Sequence, residues 1–268
     1  LARDALADAV VVAVDDDGSG PIVGFAGRGG DEITHVERDR DDVADALVSW
    51  LLEVDPGAPV TVWDGADALA RAVSRAGLEP VGRQPWSGML LDAAAVAGDR
   101  RRVDGYVIRP VRPDETTARV EVHRAAWKPS SIPYIDGRRV DPDAESSFTT
   151  DAYESVRRAW LYDPRLDLVA VAGDDEAGHL AACCIAWFDP SIGVCEIEPF
   201  GVAPEHRRRG LAIALCLEVA QLVADLGGTH VYINTQPEPG YVASTAAYSA
   251  AGFKLAERAT TYALTSRQ

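Results

Sequence analysis

The chain has 268 residues, 47% hydrophobic and 25% charged, with 42 Asp and Glu against 26 Lys and Arg and a formal net charge of −16. That balance describes a globular chain of one or two domains, and the acid excess repels a phosphate backbone, which argues against nucleic-acid binding. Cysteines without C-x-x-C spacing, histidines without an H-E-x-x-H pair, no apolar run near the about 20 residues of a membrane span and no leader pattern after Leu1 predict a cytoplasmic protein, clipped at its start, with no metal, disulfide framework or membrane partner.

In chain order, AVVVAVDDDGSGPIVGFAG (residues 9–27) places two β-rich runs around an Asp/Gly/Ser turn, a hairpin signal. DDVADALVSWLLEV predicts a helix, VTVWD a buried strand, and ADALARAVSRAG a second helix closed by Gly77. EPVGRQPWSGMLLD reads as another strand pair. The segment AAAVAGDRRRVDG has turn and charge character without periodicity, so a boundary is expected near 104, dividing the chain into 1–104 and 105–268.

The pattern then restarts. Strand YVIRPV and a helix over ETTARVEVHRAAW lead into the Pro/Ser/Asp-rich passage 128–148, whose length suggests a lid or a disordered segment. A helix over TDAYESVRRAWL, strands LDLVAVAG, HLAACCIAWF and VCEIEPFGV, a helix from about Gly210 to Leu226, strand HVYINT, an Ala-rich helix through Tyr248 and a final strand pair complete the chain. The ends of the two halves share an order, with VSRAGLEPVG placed as YSAAGFKLAE is, which suggests tandem related domains. At the place of the later arginine cluster the first half has THVERDRDDVA, whose acids would repel a phosphate.

That cluster is VAPEHRRRGLA, residues 202–212. A helix start offers unpaired N–H groups and a partial positive charge, Gly210 lets a phosphate approach the backbone, Ala212 keeps the next turn open, and Arg207, Arg208 and Arg209 can donate charge-assisted hydrogen bonds. The other reading is a solvated, salt-bridged loop beside Glu205. A dinucleotide fold is unsuited, because R-R-R-G-L-A lacks the G-x-G-x-x-G turn.

Strand, V-x-P-x-x-R-x-x-G-x-A, apolar helix, then Y-x-x-x-G-F in YSAAGF, resembles the GNAT N-acetyltransferase superfamily over residues 106–268, with residues 9–92 similar to a truncated copy lacking the motifs. The resemblance implies an α/β (α+β) fold, a mixed central sheet flanked by helices in two tandem related domains, and acetyl transfer from acetyl-CoA to a small-molecule or protein amine. The runner-up is a module that binds acyl-CoA or a partner without catalysis. By resemblance, Phe200, Gly201 and Val202 pair with the pantetheine arm and offer an N–H to the oxyanion, and Arg207 to Ala212, Leu211 included, hold the diphosphate. Tyr241 replaces a cofactor-contacting Asn of the family.

An alkyl ammonium has a pKa near about 10, so a base must deprotonate it. Glu196 and Glu198, two apart on one strand, share a face; Glu196 stands where the histone-modifying branch of the family carries its base and is slightly favoured, while Glu198 adjoins Pro199, the expected bulge. Both could instead bond to arginines. By the resemblance Tyr248 is the candidate acid toward the leaving thiolate, the other reading being a packed core ring, and Val73 in its place leaves the first copy silent. Asn234 is a contact or a turn former. Trp127 and Tyr134, with Phe148, Asp136, Asp141 and Asp143, suit a cationic acceptor, whereas Tyr153 and Trp160 have core spacing. Monomer and homodimer both stay open.

Overall fold

The computed structural model describes residues 10–14, 20–27, 34–81, 86–135, 137–173, 178–235, 240 and 242–264. The chain divides into two compact units, Ala2–Ser87 with Glu257–Gln268, and Gly88–Ala256. No helix among the described residues is long and apolar enough to cross a membrane.

In the first unit the expected hairpin forms: β1 (Val10–Val14) and β2 (Ile22–Gly27) pair antiparallel, and β3 (Thr34–Val36) adds to β2. Next come α1 (Asp41–Val54), β4 (Val60–Trp63), α2 (Asp67–Arg75) and the short β5 (Glu79–Pro80). Val43, Leu47 and Leu51 recur at helical spacing and bury one face of α1, while Ala68, Leu69, Ala72 and Val73 do the same for α2. The partner of β5 is a correction to the sequence reading. Pro80 and Glu79 pair with Tyr262 and Ala263 of the last strand, and β4 pairs with the same strand from Ala259↔Trp63 to Tyr262↔Val60. The final segment is thus one strand, Lys254–Ala263, not a pair, and its latter part completes the first unit.

The second unit contains β6 (Ser87–Asp92) from Gly88 onward, β7 (Tyr106–Pro110), α3 (Thr116–Ala126), α4 (Thr150–Val156), β8 (Asp167–Ala172), β9 (His179–Asp189), β10 (Val194–Val202), α5 (Leu211–Asp225), β11 (His230–Thr235) and α6 (Val242–Ala251), before β12 (Lys254–Ala263) begins. Its strands lie in the order β6-β11-β10-β9-β8-β7, antiparallel from β7 to β10 and parallel between β10 and β11. This mixed sheet is the expected one. Asp104, near which a boundary is expected, lies inside this unit, because Met89, Leu91, Val96 and Val103 join its core.

Helices cover both sheet faces. On one side Leu211, Leu215, Cys216, Val219 and Val223 of α5 pack over Cys184, Ile197 and Ile233, all 1% exposed or less. Each such burial stabilises by roughly 1.5–3 kcal/mol, so α5 is held firmly. On the other side Val122 of α3 meets Val169, Val171 and Cys183, and Tyr153 of α4 meets Val120 and Ile185. A fully buried ion pair, Arg119 Nε to Asp167 at 3.0 Å, locks this side, with Asp167 also accepting from the Tyr153 and Tyr162 hydroxyls.

The expected helix over 150–161 ends early. After Val156 the amides of Arg158 and Ala159 bond three residues back, to Ser155 and Val156, and the chain turns away, leaving Trp160 82% exposed although its spacing suggests core. Tyr153 is in the core, 1% exposed.

The helices α2 and α6 end alike. Gly77 and Gly252 are left-handed, with φ of 76° and 103°. Their amides bond to Ser74 and Ser249, while Leu78 and Phe253 bond back to the carbonyls of Val73 and Tyr248 at 3.0 Å each.

Candidate active site

The sheet opens between β10 and β11. The two strands start as parallel partners, Val194 opposite His230 and Glu196 opposite Tyr232, and the register ends there although β10 runs on to Val202 and β11 to Thr235. On its other edge β10 stays with β9 to Val202↔Ala182, carrying an extra residue between Ile197 and Phe200. Pro199 lies in that bulge, as expected of a residue with no N–H to give a ladder. Phe200 and Val202 therefore keep backbone pairing toward β9, while the other edge of this stretch has no ladder partner in β11.

Glu196 and Glu198 share the open face of β10, alternating with Cys195 and Ile197, which are buried. Asn234 on β11 donates to Glu196 at 3.4 Å, so the asparagine bridges the mouth of the opening. Both carboxyls touch solvent yet are crowded by protein. That crowding pushes the Glu198 carboxyl up to about 7, with the charge of Glu196 as the second cause. The Glu196 carboxyl is also raised by burial, against which the Asn234 bond works. Trp187 donates to the Glu198 carbonyl and fixes the backbone there. Tyr248 on α6 is 7% exposed, with its ring centroid 6.0 Å from that of Phe200, which brings the phenol beside the unpaired stretch.

From Val202 the chain passes through a single turn at Pro204–His206 to the start of α5. Arg208 is left-handed (φ 64°), and Gly210, the residue before the helix, has φ 90° and ψ 4°. The first-turn amides of α5 have no carbonyl one turn earlier, and with the left-handed residues they form a concave set of donors suited to a phosphate. Leu211 is 1% exposed, so it offers its backbone alone; Ala212 is half-buried.

The three arginines differ. Arg207 donates to the carbonyls of Val202, Ala126 and Ser131, so its guanidinium is a strut between this turn and the end of α3. Arg209 donates to the Glu205 carbonyl at 3.3 Å from an exposed position. Arg208 has no ion pair among the described residues. Beneath the turn, His206 bonds to the Tyr106 hydroxyl at 2.8 Å and to His179 at 3.1 Å, and burial lowers its pKa.

Gly201 has its own constraint. A Cβ there would lie 2.6 Å from Ala126 Cβ and 3.3 Å from Trp127 Nε1, so glycine lets α3 close onto β10 and sets the Trp127 indole against the strand at the opening. Trp127 is 36% exposed. Tyr134 is covered by a cation of its own chain, Arg138, at 4.2 Å from the ring centroid. Asp141 and Asp143 are exposed, and Asp136 and Tyr241 lie outside the described residues.

The loop between α3 and α4 is strapped down. Lys128 pairs with Glu145 at 2.6 Å, Arg124 donates to the carbonyls of Ser146 and Phe148, the Ile135 amide bonds to Gly240 at 3.4 Å, and Arg207 holds Ser131. Phe148 packs on the His123 ring at 4.1 Å. One residue that the sequence reading passed over stands at the α5 start: the Arg101 guanidinium lies 3.6–3.8 Å from where a Gly210 Cβ would be. Its signal was a second arginine triplet in an acidic chain, read as a boundary turn.

Residues 135–253 match the model of the acetyltransferase (GNAT) family. The chain is 28% identical over 249 residues to a mycothiol acetyltransferase of Clavibacter sepedonicus, covering 90% of this chain and 75% of that one. Among solved structures it resembles a GCN5-related N-acetyltransferase from Sphaerobacter thermophilus, with a TM-score of 0.62, 20% identity and coverage of 95% and 79% of the two chains. It also resembles a tandem GNAT protein from the clavulanic acid biosynthesis pathway, with a TM-score of 0.58, 16% identity and coverage of 93% and 82%.

Proposed function

We propose that the chain is an acetyltransferase of the GNAT family acting on an amine, that acetyl-CoA is its donor and that transfer takes place in the opening between β10 and β11. The observation that carries this reading is the end of β10–β11 pairing at Glu196 beside two carboxyls of raised pKa. Acetyl-CoA would supply the activated acetyl thioester. The amides at the start of α5, with Arg208, fit its diphosphate, and the unpaired edge from Phe200 to Val202 fits its pantetheine amides. Arg207 contributes its backbone and its strut, since its side-chain donors are already bound to carbonyls.

Glu198 is the general base in this reading, a reversal of the slight preference for Glu196. A base titrating near the working pH combines a useful ionised fraction with proton affinity. Glu198 has that value at about 7, while Glu196 engages Asn234 and adds the charge that raises its neighbour. Tyr248, held between Phe200 and Phe253, returns a proton to the leaving thiolate. Trp127 forms the acceptor side with the strapped loop.

The first unit is proposed to be a degenerate copy without catalysis. The support is the shared helix ending, in which Val73 occupies the place of Tyr248 and cannot donate a proton. Thiol release from acetyl-CoA over a panel of amines, beginning with amines of mycothiol metabolism, tests the assignment. Turnover that falls in Glu198→Gln and Tyr248→Phe supports it. Binding of CoA without turnover of any amine would favour the non-catalytic module.

A further inference from the structure

A chain of contacts leads along α5 to its start. The segment leading from β6 to β7 is tied along this helix: the Gly98 amide donates to Gln221 at 2.7 Å, and Arg100 reaches Glu218 at 3.5 Å. That path delivers Arg101 to the backbone of Gly210. A cavity of about 350 Å³ lies there, lined by Arg101, Arg102, Val103, Asp104, Tyr106 and Arg209. Neither Arg101 nor Arg102 has an ion pair among the described residues, in a chain of net charge −16.

Unpaired cations held together repel one another, and an anion relieves that repulsion. Three guanidiniums and one carboxylate line the cavity, a local formal charge of about +2, which matches the −1.5 to −2 of a phosphate monoester. The diphosphate of coenzyme A is already accounted for by the amides of α5. The remaining phosphate of that cofactor is the monoester on its ribose.

Resting on the assignment of acetyl-CoA as donor, we propose that Arg101 and Arg102, with Arg209, form a second anion subsite that takes the 3′-phosphate of coenzyme A. The exposed arginine triplet at 100–102 then divides its work: Arg100 anchors the segment to α5, and its two neighbours bind. The residues belong to the same compact unit as α5.

The test is calorimetric titration of the full chain with CoA and with dephospho-CoA, which lacks only the 3′-phosphate. The wild-type chain is expected to bind CoA about tenfold to a hundredfold more tightly than dephospho-CoA. The double variant Arg101→Gln/Arg102→Gln is expected to bind dephospho-CoA as the wild type does and to lose the preference for CoA. Unchanged dephospho-CoA affinity also shows that the variant is folded. Equal binding of both ligands by the wild type overturns the subsite and leaves the donor assignment standing, as does a variant that keeps the preference or loses both ligands equally. Failure of the wild type to bind either ligand overturns the donor assignment and the subsite together.

Discussion

Glu198 shows how a single residue's surroundings set its chemistry. Crowding by protein and the charge of Glu196 hold it at about 7, so its ionised fraction rises through neutral pH. The rate kcat/KM should therefore climb with pH across that value, and Glu198→Gln should lower it by about 100-fold or more and remove the climb. Glu196→Gln should move the climb to lower pH, because it deletes the like charge. The stability sign follows from linkage: the folded state keeps the Glu198 proton longer than the unfolded chain, so stability declines as pH rises from about 4 to 7. Glu198→Gln should recover up to about 1 kcal/mol of it at neutral pH, after allowance for solvent screening, by denaturant titration. Arg119 is the opposite case, a buried charge whose loss leaves Asp167 uncompensated. Arg119→Met should cost about 3–5 kcal/mol of unfolding free energy.

Among the elements, the turn from β10 to α5 joins two loops that the sequence separates widely. Arg207→Ala removes three carbonyl contacts to Val202, Ala126 and Ser131, so the amine KM should rise several-fold while CoA affinity, read by calorimetry, stays within about twofold. A phosphate-binding Arg207 side chain would give the reverse pattern. Gly210→Ala forces a Cβ onto φ 90° and should cost about 1–2 kcal/mol. The helices and strands around this turn were legible because burial imposes period: α5 shows only Glu218, Gln221 and Asp225 as a polar stripe, and β10 alternates Glu196 and Glu198 with Cys195 and Ile197. The arginine partners were not legible, because a guanidinium can equally donate to phosphate or carbonyl, and nothing in R-R-R-G says which lies within reach. Spacing also failed at Trp160, where the helix stops after Val156 and periodicity loses its meaning.

For the whole molecule, the chain returns at its end to the unit it began with. Strand pairing at long separation leaves no local sequence mark, which is why the last segment read as a strand pair and the shared strand went unseen. Truncation after Ala256 removes Ala259–Tyr262, the partner of β4, and should make the first unit protease-sensitive before the second. The central claim is amine acetylation at the opening between β10 and β11, and mass spectrometry of amines incubated with acetyl-CoA at pH 7 tests it most directly. The wild-type chain should yield an N-acetylated product from at least one amine, and Glu198→Gln about 100-fold less of it. No product from any amine, or equal product from the variant, would contradict the account.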